Sequence, residues 1–343
     1  MKRLHAAYAL SFALVLLVVQ ASHAETRRDL LVTAEVLTPV MAELMEGVGN
    51  VRSLTPRGSE AHLTGLTVRQ ARALKEAKVI ISPDPDLAPG LKKHLAARMR
   101  DGAVVIYLTK LSAADALPYR SHNPFLNLES LSGAPDEHDH GHDHGDGHKK
   151  EKKKSTKAKP EMMDPHLWLD PLRMAALLPE LAEILSQIWP EAAPSLRANA
   201  TRIARHLREE VHPGITHILE EAQMRNRDDS TAIPFMTYHD AYQYFQRRYG
   251  LSLGFITQRP EEYLGAKTMQ QLLAKAKVSQ VRCLISERET AAVKRFAKLS
   301  QAQIKPLNSD RSYDAKEVPL TPWAKNDYDR LLLAVAKTFA ECL

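Results

Sequence analysis

Cysteine is nearly absent from this chain of 343 residues: Cys283 and Cys342 are the only two. With no CxxC pair, a thiolate zinc site of the finger or ribbon kind has no support, and the two thiols are left to pair with each other or, less readily, to ligate a metal. No HExxH pairing occurs either, which removes one signature of zinc-dependent hydrolysis. The apolar stretch at residues 6–19 falls short of the ~20 residues needed to span a bilayer. A basic helix interleaved with aromatics is also missing. The formal charge is +6, but seven lysines fall within residues 149–159 and the rest of the mature chain is nearly balanced, so nucleic acid is not an expected partner.

What is present begins with an export signal. Met1-Lys2-Arg3, the apolar stretch and Ser22-His23-Ala24 match the basic, hydrophobic and small-residue regions of a signal peptide over residues 1–24, with Glu25 starting the mature chain. No cysteine follows that region to carry a lipid. The expectation is a soluble monomer in a bacterial periplasm. That oxidising compartment allows Cys283 and Cys342 to form a disulfide. Cys283 lies in a strand-like run and Cys342 ends a helical one, so the bridge would pin the last helix to a sheet, contributing ~3–4 kcal/mol.

From residue 29 onward, short apolar runs alternate with helical patterns. Strands are expected at residues 30–33, 51–54, 79–82 and 104–108, with helices at 39–46, 67–77 and 88–100 between them. Residues 132–160 are rich in Gly, Asp, His and Lys with almost no apolar side chains, and are expected to form a loop. Helical spacing returns at 171–189 and 193–223, separated by Pro190. Alternation then resumes, with strands at 233–238, 253–257 and 281–286 and helices at 240–249, 266–276, 291–300 and 323–342. The fold class is α/β, with two Rossmann-like lobes of parallel sheet joined by a long helix. The lobes are expected at residues 25–190 and 226–343, with the linking helix at 191–225.

Three histidines carry the chemistry. His239 ends a strand, His62 lies between a strand and a helix, and His166 sits in Asp164-Pro165-His166-Leu167-Trp168-Leu169-Asp170-Pro171, where prolines fix the backbone and Asp170 can cap a helix. Neutral imidazole binds zinc well when a rigid sheet aims it into a cleft. In α/β sheets that cleft lies at the carboxyl ends of the strands.

The motifs around these histidines resemble those of solute-binding proteins from ABC-type metal uptake systems. Pro56-Arg57-Gly58-Ser59-Glu60-Ala61-His62-Leu63-Thr64-Gly65-Leu66 is similar to the first metal motif of that family. His166-Leu167-Trp168-Leu169-Asp170-Pro171 is similar to the second, and Tyr238-His239-Asp240-Ala241-Tyr242-Gln243-Tyr244-Phe245 to the third. The acidic histidine tract upstream of the second motif and the positions of Cys283 and Cys342 resemble the zinc-specific ZnuA-type branch. The manganese-binding branch commonly has glutamate where His239 stands.

The resemblance implies metal held between the lobes by His62 and His166 from the first and His239 from the second. It also implies delivery of Zn2+ to an ABC-type permease in the inner membrane. Two departures matter. Ala61 replaces an acidic residue before the first histidine, and Asn308 aligns with an aspartate after a late strand. The fourth position is therefore left to water, to Glu60 or, with a shift of register, to Asp310. Glu287, at the end of the Cys283 strand, is a further cleft carboxylate or simply a helix-start residue.

The tract at residues 137–148 adds His138, His140, His142, His144 and His148 among carboxylates. It is expected to collect metal more weakly and less selectively than the cleft. Two other functions stay in view. A zinc hydrolase would use metal-bound hydroxide, and a buffering or interaction protein would rely on the tract alone.

Overall fold

The computed structural model describes residues 28–59, 61–120, 123, 162–225, 235–260, 262, 264–319 and 321–343. The expected signal peptide, Glu60 and all five tract histidines lie outside these residues.

The first lobe contains β1 (Asp29–Val32), α1 (Thr38–Leu44), β2 (Asn50–Ser53), α2 (Val68–Glu76), β3 (Val79–Ser82), α3 (Pro89–Arg100) and β4 (Val104–Tyr107). Its four strands are parallel, in the order β2-β1-β3-β4. β3 reads Val-Ile-Ile-Ser and is buried along its whole length, as an interior parallel strand covered on both faces must be. Strand periodicity divides its neighbours cleanly. Leu30, Val32, Val79 and Ile81 enter one core, while Leu31 and Ile80 pack on the other face with Leu74 of α2 and Leu91 and Leu95 of α3.

The second lobe repeats this plan. Between the lobes run α4 (Pro171–Ile188), α5 (Ala193–His206) and α6 (His212–Arg225). The lobe itself contains β5 (Phe235–His239), α7 (Gln243–Tyr249), β6 (Gly254–Thr257), α8 (Ala266–Val278), β7 (Cys283–Ser286), α9 (Ala291–Ser300), β8 (Gln303–Pro306) and α10 (Asp327–Cys342). Its strands are also parallel, in the order β6-β5-β7-β8. Met236 and Leu284 face Leu272 of α8 and Phe296 of α9, whereas Phe235, Cys283 and Ile285 join the large core that includes Phe339 of α10.

Several boundaries differ from the sequence reading. The linking helix expected across 191–225 starts at Ala193, after a 3-10 turn at Pro190–Ala192, and runs on as α5 and α6 through a π-helical turn at Leu207–Val211. β8 was not among the expected strands, because Gln-Ile-Lys-Pro is a half-exposed edge without an apolar run. Helix α7 begins at Gln243 rather than at Asp240. Helix α10 begins at Asp327, where Asn326 caps it and Asp329 closes a capping box.

Cys342, the last residue of α10, is bonded to Cys283 at the start of β7. The pairing settles the alternative of metal ligation by these thiols. Among the described residues, no helix is long and apolar enough to cross a membrane.

Candidate metal centre

In each sheet the chain leaves the central strand to one side and later returns on the other, which places a crevice at the carboxyl ends of β1 and β3 and of β5 and β7. His239 is the last residue of β5. Parallel pairing of Phe235 with Cys283 and Thr237 with Ile285, continued by two residues, sets His239 beside Glu287. His62 lies in the loop between β2 and α2, and Asp310 in the loop after β8. His166 lies outside both sheets. It follows an isolated bridge between Pro118 and Met163 and precedes a 3-10 turn at Leu167–Leu169.

These elements bring His62, His166, His239 and Asp310 together, with one potential donor atom from each lying within 4.8 Å of the others. The three imidazole rings form a nearly equilateral triangle, with centroids 5.5, 5.6 and 5.4 Å apart. Nε2 of His62 lies 3.3 Å from Nε2 of His166. The Asp310 carboxylate spans both, at 3.5 Å from His62 Nε2 and 3.6 Å from His166 Nε2. A tetrahedral zinc with bonds of ~2.1 Å separates its ligands by ~3.4 Å, so these spacings suit that ion. A cleft of about 350 Å³ opens in front of the group and is lined also by Thr64, Tyr238, Glu287 and Arg288.

The loop carrying His62 rests on the start of α3. Gly90 N–H donates to Leu63 O at 3.2 Å, and a Cβ at Gly90 would meet the backbone of Thr64 and Gly65 at 2.7 Å. A glycine is required here by close approach. Ala61, whose place in the resemblance belongs to an acidic residue, is buried in the main core. A carboxylate there would face apolar side chains instead of the cleft.

His166 is held from behind by Asp164. The carboxylate accepts from the ring Nδ1 at 2.7 Å and from the His166 backbone N–H at 3.0 Å, while Gln243 Nε2 donates to its second oxygen at 2.9 Å. This arrangement turns Nε2 toward the cleft. Burial lowers the His166 pKa to about 4 and raises that of Asp164 to about 6. Trp168 packs against His166 with centroids 5.1 Å apart and the rings tilted by 58°, and its Nε1–H donates to Ser309 O at 2.8 Å, linking the second motif to the Asp310 loop.

His239 and Glu287 behave as an ion pair. Nδ1 and Oε1 are 2.8 Å apart, but without the alignment of a hydrogen bond. Burial acts to lower the His239 pKa, yet the carboxylates of Glu287 first, then Asp310 and Asp240, together outweigh it and hold the imidazole above its ordinary value. Burial likewise presses Glu287 upward, and the His239 imidazolium holds it below the usual carboxylate range. Asp240 opens no helix. Its carboxylate is raised to about 7 by burial, against the opposing charge of Arg120, whose Nε lies 3.2 Å away.

A family model described as the periplasmic component A of a zinc-uptake complex, ZnuA, matches residues 30–342. The chain belongs to the ZnuA family. It is 32% identical over 302 residues to the high-affinity zinc uptake system protein ZnuA of Brucella abortus, covering 84% of each chain. The corresponding Yersinia pestis protein is 23% identical over 310 residues, covering 89% of this chain and 87% of that one. Among solved structures, a ZnuA crystal structure superposes with a TM-score of 0.65 at 17% identity, over 92% of this chain and 99% of that chain. A Mn2+ complex of FpvC from Pseudomonas aeruginosa gives 0.65 at 14% identity, over 92% and 98%. Likeness at these identities establishes the two-lobed fold.

Within this ZnuA-family fold, the departure at Asn308 has a local explanation. Asn308 Oδ1 accepts from the Asp310 backbone N–H at 2.9 Å, so the amide shapes the turn and the carboxylate two residues later faces the histidines. Asp164 and Trp168 stood in the quoted motif without a role. Their signal was the spacing to His166, since a carboxylate two residues before a histidine can reach back to its ring.

Proposed function

We propose that this chain is the periplasmic receptor of a high-affinity zinc uptake system, capturing Zn2+ with His62, His166, His239 and Asp310 and handing it to an ABC-type permease. The observation that carries this reading is the convergence of three imidazoles and one carboxylate from four separate segments, with donor atoms of His62, His166 and Asp310 at spacings near those of tetrahedral ligands and a donor of His239 within 4.8 Å of them. Asp310 supplies the negative charge that three neutral imidazoles lack. Metal bonds to Nε2 of His62 and His166 leave Asp164 to orient one ring from behind. With Glu287 against Nδ1 of His239, Nε2 of that ring is left for the metal.

Transport needs capture and release, with no covalent bond broken. Generic esters are therefore expected to turn over no faster with the zinc-loaded protein than with the chelated one. The histidine tract at residues 137–148 would act as a collector. Both ends of its segment are tied next to the cleft by the hydrogen bonds Tyr119 N to Met162 O, at 3.0 Å, and Asp164 N to Leu117 O, at 2.8 Å.

Competitive zinc titration of the mature protein tests the reading, beside His239→Ala and a variant lacking residues 136–150. The expected result is one tight site that disappears in His239→Ala and persists without the tract. Tight binding that follows the tract would replace the receptor with a buffering protein.

A further inference from the structure

Glu35 lies just past β1, in a 3-10 turn, and its side chain is buried between the two loops that present His62 and Asp310. Its Oε2 accepts from the backbone N–H of Ser312 at 2.9 Å and from that of Gly58 at 3.4 Å. Its Oε1 accepts from the Ser312 hydroxyl. Gly58 sits at φ +77°, a left-handed conformation that glycine adopts without strain, and there its N–H meets the carboxylate. Gly58 precedes His62 on one loop, and Ser312 follows Asp310 on the other.

Resting on the zinc-receptor reading, we propose that Glu35 is the positioning residue that couples these two loops and so sets the spacing of His62 to Asp310. The side chain is too far along the chain from any donor to be grouped with the metal motifs, and it is not one of the four clustered donors. Its role is geometric. A single buried carboxylate joins the first-lobe loop to the second-lobe loop, and both loops must hold position before the metal arrives. Charge-assisted hydrogen bonds to backbone N–H groups suit this task, because they fix the main chain rather than a mobile side chain. Ser309 and Asn308 complete the support on the far side, through Ser309 Oγ to Asp310 Oδ1 at 3.1 Å and Asn308 Oδ1 to the Asp310 N–H.

The test compares the wild type, Glu35→Gln, Ser312→Ala and Asp84→Asn, all as full mature chains. Asp84 is a buried first-lobe carboxylate bonded to Thr109 and the Asp86 N–H; it is not one of the clustered donors and touches neither Gly58 nor Ser312, and it controls for general loss of stability. Zinc dissociation into a chelator and the visible absorption of the Co2+-substituted protein are the readouts, because the Co2+ bands report ligand geometry directly. Glu35→Gln keeps the size but turns an amide N–H2 toward donors. It is expected to speed zinc release about tenfold, within the range for residues that orient metal ligands, and to alter the Co2+ bands. Ser312→Ala, a milder change that keeps the fold if Glu35→Gln does not, should act in the same direction. Asp84→Asn should leave both readouts unchanged. Wild-type release rates and Co2+ bands in both Glu35→Gln and Ser312→Ala overturn the positioning role. Absence of a tight site in the wild type itself overturns the receptor reading beneath it.

Discussion

His239 decides how protons and zinc compete. Because Glu287, with Asp310 and Asp240, holds its imidazole above the ordinary value of about 6.5, His239 is protonated near neutral pH in the metal-free protein, and zinc must displace that proton. Affinity is thus expected to rise with pH through neutrality and to level off only above the raised value. His166, lowered to about 4, is already neutral and adds no such dependence until far more acidic solution. Calorimetric zinc titrations near neutral pH, in buffers of different ionisation enthalpy, should show a proton released on binding, and Glu287→Gln should diminish that release. Release that is absent in the wild type would contradict the ion pair. Asp164→Asn tests the other imidazole. Losing the carboxylate behind Nδ1 should weaken zinc binding by about tenfold or more. The sequence announced the three histidines and left the fourth position open among water, Glu60 and Asp310. Asn308 and Asp310 both follow β8, and which one faces the cleft depends on a two-residue turn that only the folded loop defines. Glu35 gave no signal at all, because its partners Gly58 and Ser312 are close only in space.

At the scale of elements, α4 carries Pro179 in its interior, where a proline removes the hydrogen bond to the carbonyl four residues earlier. That carbonyl belongs to Ala175, and Arg208 Nη2 reaches it at 2.9 Å from the π-helical turn at Leu207–Val211. The turn and the proline therefore answer one another across two helices. Arg208→Met should cost about 1–3 kcal/mol in urea unfolding by leaving a half-buried carbonyl without its donor. Zinc affinity of the folded variant should stay near that of the wild type, because neither group approaches the cleft. Gly90→Ala makes the opposite pair of readings. Its Cβ would press on the backbone of the His62 loop, so an overpacking cost on the order of 1–3 kcal/mol should come with weaker zinc binding. An alanine tolerated without loss of affinity would mean that the loop is free to shift. The alternation of strands and helices was legible from apolar runs and helical spacing. The π turn within 193–223 was not, since Leu207 and Val211 keep the apolar spacing through it. Nor was β8, whose edge position relieves it of the apolar pattern on which strand recognition depends.

For the whole molecule, the question is what keeps two lobes in register when the metal is absent. One large core runs from β1 through α4, α5 and α6 to α10, and includes apolar residues of both sheets. The disulfide adds a covalent hold at the end farthest along the chain. It ties Cys342 at the end of α10 to Cys283, which begins the strand leading to Glu287, and closes a loop with a sequence separation of 59. In the chain-entropy account such a loop contributes about 4 kcal/mol by restricting the unfolded chain. Its action is remote from the cleft, because Cys283 lies at the opposite end of β7 from Glu287. Replacing both cysteines by serine should lower the unfolding free energy by an amount of that order. The zinc affinity of molecules that remain folded should change little. Saturating zinc should then recover part of the loss, since a ligand at a thousand times its Kd adds about 4 kcal/mol to the folded state. Paired thermal melts with and without zinc, on the wild type and the double serine variant, measure both quantities. Equal zinc-induced shifts in the two proteins are expected. A markedly smaller shift in the variant would mean that the bridge shapes the metal centre as well as restraining the unfolded chain.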